Sequence, residues 1–151
     1  MISTSPDGVR AEVRTLLELE LTAVPEAIPV ARRAITEVCE ELRLAIDVVE
    51  RVQLAVTEAV TNCVLHAFKY GHCAATYMLE SRTEENALLV VVHDNGVGMA
   101  SVHQAPRRPI AGLGLGLGLR MIHQLADGAD VSSTPGYGTR VAMRFVMQHH
   151  P

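Results

Sequence analysis

Leu17, Leu19 and Leu21 alternate with Glu18, Glu20 and Thr22, the period-two pattern of a half-buried strand. The period then lengthens. Val24, Ile28, Ala31, Ile35, Val38 and Leu42 recur at steps of three and four, which predicts an amphipathic helix opening near Pro25, with Arg32, Arg33, Glu37 and Glu40 mostly outward. Asp47 is the expected N-cap of a second helix running to about Phe68. That helix carries Val48, Arg51, Ala55, Glu58, Asn62 and Leu65 near one face, and Gly71 ends it. Two strands are expected next, Ala74 to Glu80 and Ala87 to His93, joined by the polar segment Ser81 to Asn86. The second is rich in Val and Leu, as a central strand would be. A third helix fits Leu119, Ile122, Leu125 and Ala126. Val131 to Ser133 and Thr139 to Val146 close the chain as strands around the turn Pro135 to Gly138. The order β-α-α-β-β-loop-α-β-β predicts a two-layer α+β sandwich, with helices on one face of a mixed sheet.

The chain has 151 residues, suited to a single domain spanning 1–151, with residues 1–8 as a flexible N-terminus. Composition excludes several classes. A formal net charge of −4, with twelve Arg and one Lys (Lys69), provides no concentrated basic face for a phosphate backbone. Aromatic residues make up 3% of the chain, too few for RNA readout by stacking. The N-terminal segment has neither the basic nor the apolar region of a signal peptide. The longest purely apolar run, Ala87 to Val92, is far short of the roughly 20 residues a membrane span needs. Cys39, Cys63 and Cys73 form an odd set without C-x-x-C spacing and read as small buried hydrophobes in a reducing compartment. A cytoplasmic protein without a membrane or nucleic-acid partner is expected.

Candidate chemistry lies in three segments. Glu58 and Asn62 are four residues apart, so they share a helix face about 6 Å apart along the axis. They read either as a solvated pair or as a general base beside an amide oxygen that holds Mg²⁺ without adding charge. Asp94-Asn-Gly-Val-Gly98 follows the most hydrophobic strand. It is either a turn-forming loop or an acceptor for an exocyclic amine such as adenine's, with Gly96 and Gly98 clearing space for a flat ring. Nine of the eleven glycines fall between Gly96 and Gly138, and Gly112, Gly114, Gly116 and Gly118 alternate with leucines. Four glycines disfavour a helix by roughly 1 kcal/mol each relative to Ala, so this run reads as a loop entering the third helix. It is then either a hinge or an anion site presenting backbone N–H groups. Neither the Walker A nor the Gly-x-Gly-x-x-Gly spacing is met. His66, one turn beyond Asn62, either faces the site or is structural, and Arg32-Arg33 is an exposed face or a contact for an acidic partner.

In order, Glu58-Ala-Val-Thr-Asn62, Asp94-Asn-Gly-Val-Gly98, Gly112 to Gly118 and Gly136-Tyr-Gly-Thr139 resemble the N, G1, G2 and G3 boxes of the GHKL, or Bergerat-fold, ATP-binding family. The wording from Thr57 to Phe68 is most similar to the bacterial anti-sigma-factor serine kinases. The resemblance implies an ATP- and Mg²⁺-dependent serine/threonine-protein kinase that also sequesters a sigma factor. It makes Glu58 the general base and Asn62 the Mg²⁺ ligand. Asp94 would bind the adenine amine with Thr139 in support, while Gly96 and Gly98 shape the adenine pocket. Residues 99–118 would form a lid loop whose Gly112, Gly114, Gly116 and Gly118 cover the phosphates, with Arg107 or Arg108 as its basic residue. The implied partners are the sigma factor and an anti-sigma-factor antagonist carrying the target serine, and related kinases suggest a homodimer. The alternative is a non-catalytic module of the same fold whose partner reads a nucleotide-gated state.

Overall fold

The computed structural model describes residues 12–69, 75–94, 117–134 and 138–148. The elements run β1 (Arg14–Thr22), α1 (Ala27–Glu41), α2 (Ile46–Lys69), β2 (Thr76–Glu84), β3 (Ala87–Asp94), α3 (Leu117–Leu125), β4 (Gly128–Thr134) and β5 (Gly138–Val146). This is the expected order. The strands form one sheet in the order β1-β2-β3-β5-β4. Every pairing in it is antiparallel, so the expectation of a mixed sheet is corrected: no two neighbouring strands run the same way.

Helices cover one face. The inward positions Tyr77, Leu79, Leu88, Val90, Val92, Val141, Met143 and Phe145 are buried, following the alternation of a one-sided sheet. Against them α2 lays Val48, Val52, Val56 and Val60, each 0% exposed. Ile35, Val38 and Cys39 of α1 join the same core. The other face of the sheet carries Glu18, Glu20, Arg140 and Arg144, all exposed. β1 is an edge strand, and its register slips between Thr15 and Leu17, a bulge that absorbs one extra residue.

Boundaries differ from expectation in several places. Helix α2 begins at Ile46, so Asp47 lies within the first turn, where its charge suits the helix dipole, rather than at the cap. β2 continues through Glu84 and pairs with Ala87, leaving only Glu85 and Asn86 as the connection. Its polar residues belong to a strand because pairing with both β1 and β3 satisfies the backbone there. Gly118 is the second residue of α3, not part of a loop. Gly71, Ala74, Cys73 and the loop residues 99–116 lie outside the described residues.

Candidate nucleotide site

The site is built on the second half of α2. Glu58 and Asn62, one turn apart, are both half-buried and face the start of α3. A Cβ placed on Gly118 would come 2.9 Å from Oε2 of Glu58 and 3.5 Å from Nδ2 of Asn62. The first turn of α3 therefore packs directly on this pair, and only glycine permits the approach without displacing the carboxylate. Arg51, two turns earlier on α2, holds the other end of α3: its Nη1 donates to the Leu125 carbonyl at 3.0 Å.

Asp94 ends β3 beside the same helix. The Thr139 backbone N–H donates to its Oδ1 at 3.4 Å, and the Thr139 hydroxyl is 3.0 Å from that of Ser133 on β4. Gly138, with φ 102°, takes the left-handed backbone that delivers Thr139 to this position. A cavity of about 20 Å³ lies between these elements. Ala59, Asn62 and Cys63 line it from α2, Val92 and Asp94 from β3, Thr139 and Val141 from β5, and Leu119 from α3. The walls combine apolar side chains with a carboxylate, an amide, a hydroxyl and a thiol, which suits a flat heterocycle bearing an amine. It has about the room of one water.

Sequence reasoning placed Glu58, Asn62, Asp94, Thr139 and Gly118 in one site, and the structure brings all five together. Gly96, Gly98, Gly112, Gly114, Gly116, Arg107 and Arg108 lie outside the described residues, as does the side chain of His66. Cys63 was missed as anything but packing. It borders the same cavity as Asp94, and burial first, then that carboxylate, pushes its ionisation well above the ordinary range. Its position next to Asn62 was the available signal, since adjacent helix residues can border one cavity. Ser133 was also missed, because only the β4–β5 register pairs it with Thr139. Among the described residues, no cluster of three or more His, Cys, Asp or Glu side chains forms a metal site.

Residues 21–145 match the model of the histidine kinase-like ATPase domain. The chain belongs to that family. Within it, the chain is 33% identical to the anti-sigma F factor of Pasteuria penetrans, over 86% of this chain and 89% of the relative, which places it among the anti-sigma F factor homologues. It is 28% identical to the anti-sigma F factor of Caldanaerobacter subterraneus subsp. tengcongensis, over 87% and 94%. The fold of this histidine kinase-like ATPase domain is similar to the RsbU and RsbW domains of a Mycobacterium tuberculosis protein. That match has a TM-score of 0.63 at 17% identity, covering 87% of this chain and 33% of that one. The histidine kinase domain of an Erythrobacter litoralis blue-light activated kinase gives 0.57 at 20% identity, over 78% and 61%. No helix among the described residues is long and apolar enough to cross a membrane.

Proposed function

We propose that this anti-sigma F factor homologue is an ATP- and Mg²⁺-dependent protein serine kinase. Its substrate is a serine on an anti-sigma-factor antagonist, and it also sequesters a sigma factor. The observation that carries the reading is the juxtaposition of Glu58 and Asn62, one turn apart, with the cavity ending in Asp94. The Asp94 carboxylate at the end of this cavity can accept from an adenine amine, and the walls from Val92, Val141 and Leu119 suit the ring.

The donor set fits Mg²⁺, which takes one or two protein oxygens and completes its shell with phosphate and water. Asn62 would supply that oxygen from its amide. When bound, the ion offsets phosphate charge during transfer. Glu58 accepts the hydroxyl proton of the incoming serine as its oxygen bonds the γ-phosphorus and the bond to ADP breaks. Asp94 and Thr139 orient the base, and the first turn of α3 moves away from Asn62 to admit the phosphates.

The test is phosphorylation of a purified antagonist. Glu58→Gln is expected to lower phosphotransfer by about 10²–10⁴-fold while ATP still binds; undiminished transfer would remove Glu58 from the mechanism. Asp94→Asn replaces an ionised acceptor with a neutral amide and is expected to weaken ATP binding by about 1.5–3 kcal/mol, read by calorimetry. Nucleotide binding without any phosphorylation would leave a nucleotide-gated binding module in place of the kinase.

A further inference from the structure

Two polar contacts of Thr139 run in opposite directions. Its backbone N–H turns toward β3 and donates to Oδ1 of Asp94 at 3.4 Å. On the other side lies β4, where Ser133 is its register partner. A residue whose N–H points away from a neighbouring antiparallel strand forms a non-hydrogen-bonded pair with it, the kind that brings facing side chains closest. The two hydroxyls accordingly meet, with Oγ of Ser133 3.0 Å from Oγ1 of Thr139. Thr139 is 8% exposed and lines the cavity together with Asp94, whereas Ser133 is not among its walls. The serine therefore bears on the cavity through Thr139.

We propose that Ser133 is a positioning residue for base recognition: its hydroxyl donates to Oγ1 of Thr139 and leaves the Thr139 proton for the ring nitrogen beside the nucleotide's exocyclic amine. This rests on the reading of Asp94 as the adenine acceptor. A hydroxyl carries one proton and can accept as well as donate, so either member of the pair could be the donor. An adenine ring breaks that symmetry. Its amine is a donor and belongs to the carboxylate, while the adjacent N1 is an acceptor and needs a donor. Thr139 is the wall residue whose backbone already meets Asp94, which places its side chain beside the neighbour of the amine. With the Thr139 proton on N1, Oγ1 receives the proton of Ser133. Removing the serine hydroxyl lets the Thr139 proton rotate away from the base. Ser133 itself touches no part of the nucleotide.

A positioning role and a merely structural one separate in nucleotide selectivity. In 1-deaza-ATP a C–H replaces N1 and the amine is kept, so the affinity ratio of ATP to 1-deaza-ATP reads the N1 contact rather than the integrity of the strand. Calorimetric titrations of both with Mg²⁺ would be run on the wild type, Ser133→Ala, Ser133→Thr, Thr139→Val and the Ser133→Ala/Thr139→Val double variant. The wild type is expected to favour ATP by about three- to tenfold, the scale of one neutral hydrogen bond. Ser133→Ala is expected to erase most of that preference while 1-deaza-ATP binds as before, and Ser133→Thr, which keeps a hydroxyl, to restore it. Thr139→Val is expected to erase the same preference, with no further loss in the double variant, as for two groups acting as one unit. Ser133→Cys is near in size with a weak donor and is expected to lie between wild type and alanine; it carries the test should Ser133→Ala not fold, where a full wild-type ratio overturns the proposal.

Equal weakening of both nucleotides in Ser133→Ala, or an unaltered ratio, overturns the proposal and leaves the serine as an ordinary strand residue. So does a wild type that binds ATP and 1-deaza-ATP alike. Purine riboside triphosphate, which keeps N1 and lacks the amine, tells this failure from that of Asp94. If the wild type binds it as tightly as ATP, the amine contact is absent, and the adenine reading falls together with this inference. If it binds more weakly than ATP while Ser133→Ala retains the full preference over 1-deaza-ATP, only the role of the serine is lost.

Discussion

A methyl group added at Gly118 would lie 2.9 Å from Oε2 of Glu58, closer than a side-chain carbon approaches an oxygen without something giving way. What gives is the far end of a flexible side chain, not the backbone of α2. Gly118→Ala is therefore expected to fold, and to gain up to about 1 kcal/mol from helix propensity in α3. The displaced carboxylate is expected to lower phosphotransfer by about 10- to 100-fold. A thermal melt beside a single-turnover assay checks both halves, and a parallel loss of stability and rate would contradict the assignment. The individual site residues were legible because each box pairs a residue type with a spacing. Glu58 and Asn62 announce a shared face from their four-residue step, and Asp94 follows an unbroken apolar run. Cys63 was illegible for the opposite reason, since a cysteine on a helix has the same sequence signature whether it fills the core or borders a cavity.

Among the elements, α2 does most to hold the site together, and Arg51 shows how. Its guanidinium donates to the Leu125 carbonyl at the C-terminal end of α3, where a positive charge also suits the helix dipole. It approaches Asp127 Oδ2 at 3.6 Å, and that oxygen accepts the Val146 N–H of β5 at 2.7 Å. Arg51→Met keeps the aliphatic stem and removes the charge. With Arg51 and Asp127 both partly exposed to solvent, the loss is expected at about 1–2 kcal/mol, measured by urea unfolding, with faster amide exchange in α3 than in α2. An unchanged unfolding midpoint would show that α3 is held by its apolar face alone. The helices were readable from period, as were β1 and β3. The run Ser81 to Glu84 was not, because its polar composition matches a loop. Pairing with two neighbours is a tertiary fact that overrides local preference. Strand direction was equally hidden: alternation tells which face a strand buries, not which way its neighbour runs.

For the molecule as a whole, the groups buried in the core make stability depend on alkaline pH. Burial first, then Glu40, pushes Cys39 from an ordinary 9.0 up to about 12. Burial and then Asp94 push Cys63 up further. Tyr77 rises from 10.0 to about 12 through burial and then Cys63. The folded state thus keeps protons that the unfolded chain releases. The contribution of Cys39 is complete below pH 9 and is lost as pH rises from 9 toward about 12, at no more than about 1.4 kcal/mol per pH unit for each group. Unfolding free energy from urea titrations is expected to fall steadily above pH 9, and Cys39→Ala to fall with a shallower slope. Identical slopes would mean that the thiol ionises equally in both states.

The bulge in β1 also bears on how the chain behaves in crowded solution. An exposed outer strand is an invitation for another molecule to extend the sheet, the first step of many aggregates. The slip between Thr15 and Leu17 interrupts the regular row of backbone groups on that side, and Glu18 and Glu20 add like charge beside it. On the far side of the sheet, β4 offers only seven residues, with Asp130, Ser132 and Thr134 exposed. Uncontrolled polymerisation by strand addition is thereby disfavoured at both borders, and the chain can be concentrated without its own sheet becoming a template.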